Sequence, residues 1–169
     1  AGIQADIKAI AAMGGYATTA ITAVTAQNTL GVSSVHPIPV DIVVAQMIAV
    51  LDDIGTDAIK TGMLVNAEII LAVAELIEQR APGLPFVLDP VMVAKSGDRL
   101  LPPAALNALR RQLLPLATLL TPNLPEAEDL LGCAQATTEA EMMRQGHALR
   151  AMGPQAVLMK GGHGTGDAC

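Results

Sequence analysis

Aromatic residues are almost missing from this chain. Its 169 residues contain no Trp, one Phe (Phe86) and one Tyr (Tyr16). A core without large rings has to be assembled from Ala, Val, Ile, Leu and Met. The hydrophobic fraction of 51% supplies enough of them, and the length suits one domain that buries most of its apolar surface. Cysteine is scarce as well. Cys133 and Cys169 are far apart and outside any CxxC spacing, which argues against a disulfide scaffold or a zinc site. Basic runs are also lacking: 10 Lys and Arg face 16 Asp and Glu, for a net charge of −6. Nucleic-acid surfaces carry a basic patch, and none is visible. An anionic ligand would need local compensation from helix N-termini, a lysine or two and a metal. No apolar run is long enough to span a bilayer, and no signal-peptide pattern opens the chain. A reduced cytoplasm is the expected setting, without membrane or nucleic-acid partners.

What is present is an alternation of two kinds of segment. Short apolar runs cover Ala17 to Thr25, Ala58 to Met63, Pro85 to Met92, Ala117 to Thr121 and Ala156 to Met159. Without strict polar alternation they suit strands buried on both faces of a parallel sheet. Between them lie helical spacings: Val40, Val43, Val44, Met47 and Leu51; Ile69, Val73, Leu76 and Ile77; Leu106, Leu109 and Leu113; Met142, Gly146 and Leu149. Asn66, Pro102 and Thr138 stand where helices should start. The expected fold is α/β, with three α/β/α layers around a mainly parallel sheet and right-handed crossovers. The first residues already read as a helix, and the last follow a glycine-rich loop. The sheet is therefore expected to be incomplete at both ends, so that residues 1–169 form a single partial domain.

Ligands of open α/β sheets bind beyond the carboxyl ends of the strands. The residues there are Gln27 and Asn28; Thr61, Gly62 and Met63; Asp89; Thr121, Asn123 and Glu126; and Lys160 to His163. Asp89-Pro90 offers a carboxylate that could hold magnesium through water, or simply a turn-initiating Asp before Pro. Asn123 and Glu126, one helical turn apart, could organise water and magnesium around a phosphate chain. They could equally be an N-cap with an acidic first turn. Lys160-Gly161-Gly162-His163 could approach a phosphate through backbone amides and one point charge, or be a tight turn with a solvated lysine. His163 has no partner that assigns it a catalytic role.

As an ordered set these segments resemble the hydroxymethylpyrimidine and phosphomethylpyrimidine kinases of thiamine biosynthesis, in the ribokinase-like superfamily. The resemblance rests on Ala1 to Lys8, Thr22 to Thr29, Lys60 to Leu64, Asp89 to Asp98, Thr121 to Glu126 and Lys160 to His163. It implies an ATP-dependent phosphotransferase. The acceptor would be the hydroxymethyl group of 4-amino-5-hydroxymethyl-2-methylpyrimidine, or the phosphate of its monophosphate. Gln27 would bond the pyrimidine edge, with Asp6 and Met63 lining that pocket. Asp89, Asn123 and Glu126 would organise Mg2+ and the nucleotide phosphates, Asp89 and Glu126 as metal residues directly or through water. Lys160 would touch the nucleotide. A homodimer is the family's usual assembly.

The family's anion hole is a Gly-x-Gly followed by Cys or Asp. Gly164-Thr165-Gly166-Asp167 has that spelling, with Asp167 in the place of the base. It follows His163 directly, where the family has further strands, which favours an ordinary loop. Pyridoxal kinases of the same superfamily are the nearest alternative, and a non-catalytic ligand-binding relic is the alternative of another class.

Overall fold

The structure, a computed structural model, describes residues 2–92 and 101–161. The Asp167 and Gly164 to Asp167 expectations lie outside the described residues, as do Lys95 to Asp98 and His163. Among the described residues no helix is long and apolar enough to cross a membrane.

Four strands make the central sheet: β3 (Ile59–Thr61), β4 (Phe86–Leu88), β5 (Leu119–Leu120) and β6 (Ala156–Val157). They pair in chain order and all in parallel, Thr61 beside Leu88, Leu88 beside Leu120, and Leu120 beside Val157. The crossovers are α3 (Ala67–Arg80), then α4 (Pro103–Ala108), then the pair α5 (Leu124–Leu131) and α6 (Glu139–Arg150), with α2 (Val40–Ala49) leading into β3. Right-handed crossovers between strands placed in sequence order all fall on one side of the sheet. The core lies there: Phe86, Leu88 and Leu120 are buried with Ile70, Val73 and Ile77 of α3, Leu109 and Leu113 after α4, and Leu130 and Leu149. Leucine and isoleucine do the filling that aromatic rings do elsewhere.

The pleat sends alternate side chains to the other side, and there the expectation of strands buried on both faces is corrected. Val87 and Leu119 are half-buried, and Lys60, Ala156 and Leu158 are exposed. The element on that side is α1 (Ile3–Ala12), held by Lys60, whose ammonium donates to both carboxylate oxygens of Asp6 at 3.0 Å. The helix buries none of its residues, and Ile3, Ile7 and Ile10 stay partly open. Three layers are thus present, and the outer one is thin.

The first expected strand is also corrected. Ala17 to Ile21 are irregular. The regular segment is β1 (Ala23–Gln27), which pairs antiparallel with β2 (Val32–Pro37) in a ribbon separate from the central sheet. The ribbon's turn is set by Asn28, whose side-chain oxygen accepts from the amides of Leu30 and Gly31, an Asx turn.

All three expected helix starts are found. Asn66 caps α3 by accepting from Ile69 N at 2.9 Å, and Pro102 precedes α4, whose first residue is Pro103. Thr138 and Glu141 form a reciprocal capping box on α6. Hydrogen bonds from Thr137, first backbone and then hydroxyl, hold the Glu141 carboxyl down from the usual 4.5 to about 2. A depressed carboxyl contributes stability that is complete above its unfolded value and disappears as pH falls through the folded one. Glu141→Gln is therefore expected to lower the melting temperature at pH 7. The gap between the two proteins should close between pH 4.5 and about 2; a gap independent of pH would contradict the assignment.

Two strands end in turns of opposite cost. After β4, Val91 N donates to Asp89 O at 2.9 Å, a three-residue turn centred on Pro90, whose ring already fixes a suitable φ. After β3, Asn66 N donates to Leu64 O at 2.7 Å around Val65, whose φ is +61°. That is the geometry of the rare, strained γ-turn, on a β-branched residue that avoids positive φ. The strain is of order 1–3 kcal/mol, comparable to what Gly would lose there in chain entropy and side-chain burial. Val65→Gly should leave the urea-unfolding free energy nearly unchanged or raise it. Val87→Gly, half-buried in an ordinary strand, should lower it by about 2 kcal/mol.

Candidate active site

Parallel strands in register bring their carboxyl ends to a common rim. Beyond β4 stands Asp89, its amide bonded to Thr61 O at 3.0 Å. Beyond β5 come Thr121, Pro122 and Asn123. Beyond β6 the chain stays extended, with Lys160 N on Pro122 O at 2.8 Å and an isolated parallel bridge between Asn123 and Lys160. Lys160 Nζ then reaches Asp89 Oδ1 at 2.9 Å and Glu126 Oε2 at 3.8 Å. Thr121 Oγ1 donates to the same Asp89 oxygen at 3.4 Å. Asp89, Thr121, Asn123, Glu126 and Lys160 are one polar cluster drawn from three strand ends.

Glu126 is the buried member, with 4% of the residue exposed. Its carboxylate accepts from Asn123 N, while Asn123 Oδ1 accepts from Glu126 N, both at 2.8 Å. The pair is a complete capping box opening α5. The bland alternative for Asn123 and Glu126 is thus realised in full, and the cap also holds a carboxylate against the rim. Among the described residues Lys160 is shared by the two carboxylates of this cluster. Asp89 Oδ2 has no partner among the described residues. Oxygen donors of this kind fit magnesium, which prefers oxygen ligands and keeps several waters. No group of three His, Cys, Asp or Glu is gathered tightly enough among the described residues to hold a metal alone. A magnesium ion here would be carried largely by water and phosphate.

The other expected site residues stand on different elements. Asp6 is on α1 with its carboxylate engaged by Lys60. Met63 follows β3, and its carbonyl accepts from Thr22 Oγ1 at 2.7 Å. Gln27 is exposed at the end of β1, where the ribbon's register shifts. Thr22 immediately precedes β1, so the Met63 and Gln27 segments are joined through one hydroxyl. Asn28, expected among the ligand-type residues, is used in its own turn. Sequence reading missed Thr22 and the role of Lys60. A shallow groove of about 320 Å3 between α6 and β6, with Met142, Met143, Gly146 and Met159 in its wall, adjoins the cluster only where Met159 meets Lys160.

Comparison with known proteins decides the family. The phosphomethylpyrimidine kinase family model matches residues 1–169. The chain belongs to that family. It is 55% identical over 163 residues to the hydroxymethylpyrimidine/phosphomethylpyrimidine kinase of Salmonella typhimurium, covering 96% of this chain and 61% of the relative. The Escherichia coli protein of the same name is 54% identical with the same coverage. The chain thus spans about three-fifths of the length of these curated relatives. The crystal structure of phosphomethylpyrimidine kinase from Clostridium difficile superposes with a TM-score of 0.89 at 45% identity, over 99% of this chain and 72% of that one. An ADP complex of Bacillus subtilis pyridoxal kinase superposes with a TM-score of 0.87 at 36% identity, over 99% and 62%.

The ion pair at the rim is open to direct measurement. Lys160 is 41% and Asp89 22% exposed in their side chains, so solvent screens the contact and its worth is about 1 kcal/mol. Lys160→Met should destabilise by about that amount, and Asp89→Asn should recover part of it in the double variant, with a coupling of about 0.5–1 kcal/mol. Strict additivity would show that the two side chains do not act on one another.

Proposed function

We propose that the intact protein is an ATP-dependent kinase acting on 4-amino-5-hydroxymethyl-2-methylpyrimidine, on its monophosphate, or on both. The observation that carries this reading is the convergence of Asp89, Glu126 and Lys160 at one sheet rim in a chain of this family. Phosphoryl transfer asks for positioning and charge neutralisation more than for covalent chemistry. Asp89, with Glu126 behind it, would hold Mg2+ through water, and the ion when bound neutralises charge on the nucleotide phosphates. Lys160 would leave Asp89 for a phosphate oxygen as the nucleotide enters, a short swing for an exposed side chain. Asn123 would keep Glu126 aimed at the rim through the capping box. Gln27, with a donor and an acceptor on one amide, would read a ring edge that carries both, beside Met63 and near Asp6. Should Gly164 to Asp167 form the anion hole, Asp167 would be the base.

ATP use, magnesium, a cytoplasmic setting and a homodimer belong to this proposal. Solved pyridoxal kinases share the fold, including the Staphylococcus aureus enzyme in complex with AMP-PCP and pyridoxal, at 37% identity and a TM-score of 0.84. The higher identity to pyrimidine kinases favours the pyrimidine.

Phosphorylation of the pyrimidine alcohol, its monophosphate and pyridoxal, assayed side by side with ATP and Mg2+, tests the reading. Turnover should be faster with a pyrimidine. Gln27→Ala should raise the pyrimidine KM by about tenfold or more, the effect of losing a paired hydrogen bond to a polar ligand, with the ATP KM little changed. Faster turnover of pyridoxal would overturn the substrate assignment, and ligand binding without ATP consumption would favour a relic.

A further inference from the structure

The ribbon that carries Gln27 is not part of the central sheet, so something else must set where Gln27 stands relative to Met63. The joints are few and specific. Gln46 of α2 treats the backbone of Ile21 as a strand neighbour would: its oxygen accepts from Ile21 N at 2.9 Å and its amide donates to Ile21 O at 3.1 Å. Thr22, the next residue, accepts from Ile38 N at 2.9 Å, which closes the ribbon's base. Its hydroxyl donates to Met63 O at 2.7 Å, across 41 residues of sequence.

The Met63 side of that bond is just as constrained. Two residues on, Val65 is held at φ +61° in the γ-turn between Leu64 and Asn66. Leu64 is anchored in the core with 3% exposure, and Asn66 is committed to capping α3. A β-branched residue keeps a left-handed conformation only where its surroundings over-determine it, and such outliers gather at functional sites. Here the turn lies between β3 and α3, and the Met63 carbonyl just before it faces the incoming ribbon.

We infer that Thr22 and Val65 are positioning residues of the ring subsite: the strained turn at Val65 presents the Met63 carbonyl, and the Thr22 hydroxyl docks the Gln27 ribbon onto it. The identity of the ligand rests on the kinase reading above; the clasp itself does not. Thr22 touches no substrate in this scheme and acts through the separation of Gln27 and Met63.

The test uses the intact protein with Thr22→Val, which keeps the shape and removes the donor, and Thr22→Ser, which keeps the donor. Thr22→Val should raise the pyrimidine KM by about tenfold while the ATP KM stays within about twofold, and Thr22→Ser should keep the pyrimidine KM near that of the parent. Amide hydrogen exchange at Ile38 and Asn66 should quicken in Thr22→Val and not in Thr22→Ser. Gln46→Met, which opens the same joint from the α2 side, should give the same kinetic split and serves if Thr22→Val does not fold. An unchanged pyrimidine KM in a folded Thr22→Val protein, or unchanged exchange at Ile38, overturns the inference. If the parent protein phosphorylates no pyrimidine, the kinase reading fails, and faster exchange at Ile38 in Thr22→Val still upholds the clasp.

Discussion

Lys160 and Asp89 are 71 residues apart in the chain and 2.9 Å apart in space, a contact that exists because β4, β5 and β6 run parallel and in register. Each of these strands contributes two or three paired residues, so the sheet owes little to length. What makes it a platform is that every strand leaves it in the same direction. Polar residues placed after each strand therefore arrive at one rim, however far apart they are in sequence. The apolar side of the same strands is closed by Ile70, Val73, Leu113 and Leu130, with no aromatic ring but Phe86. Core and site are consequences of a single arrangement.

The cluster at that rim tolerates buried charge because the charge is satisfied twice. Glu126 is removed from water, a costly position for a lone carboxylate. Its capping box supplies the Asn123 backbone donor, and Lys160 adds a cation. The cap stabilises α5 and keeps Glu126 at the rim independently of Lys160. Asp89 is more exposed and less committed, with one oxygen shared by Thr121 and Lys160. Of the two carboxylates it is the one a hydrated cation could claim at least cost.

Much of this was legible in the sequence. The four parallel strands lie inside four of the five apolar runs. The helix starts at Asn66 and Thr138 were readable because the residue that caps also signals the cap, and the start at Pro102 because proline suits a first turn. Asp89, Thr121, Asn123, Glu126 and Lys160 were readable as a set because topology, not spacing, unites them, whereas Gln27 and Asn28 stand on the separate ribbon. The ribbon was not readable. Val32-Ser33-Ser34-Val35-His36-Pro37 is polar and short, and its pairing with β1 depends on the turn at Asn28, whose amide looked like a ligand group. The loose side of the sheet was hidden for another reason. An apolar strand looks the same in sequence whether its second face is covered fully or only by α1.

Fold alone does not choose the substrate. The pyrimidine and pyridoxal kinases superpose on this chain with TM-scores of 0.89 and 0.87 while their identities to it are 45% and 36%. Where backbones agree this well, discrimination between two flat heteroaromatic alcohols has to come from where a few side chains meet the ring. Under the proposed function Gln27 would be one of them, and it stands outside the central sheet. Gln27 is borne by a two-stranded ribbon, and a ribbon of two strands has little stability of its own. Its position is therefore decided by what fastens its base, namely Gln46 at Ile21 and the Thr22 hydroxyl at Met63. The rim of Asp89, Glu126 and Lys160, in contrast, is built into the sheet. If Gln27 reads the ring as proposed, the hydrogen bonds that brace its ribbon would matter to selectivity as much as the residues that face the ring.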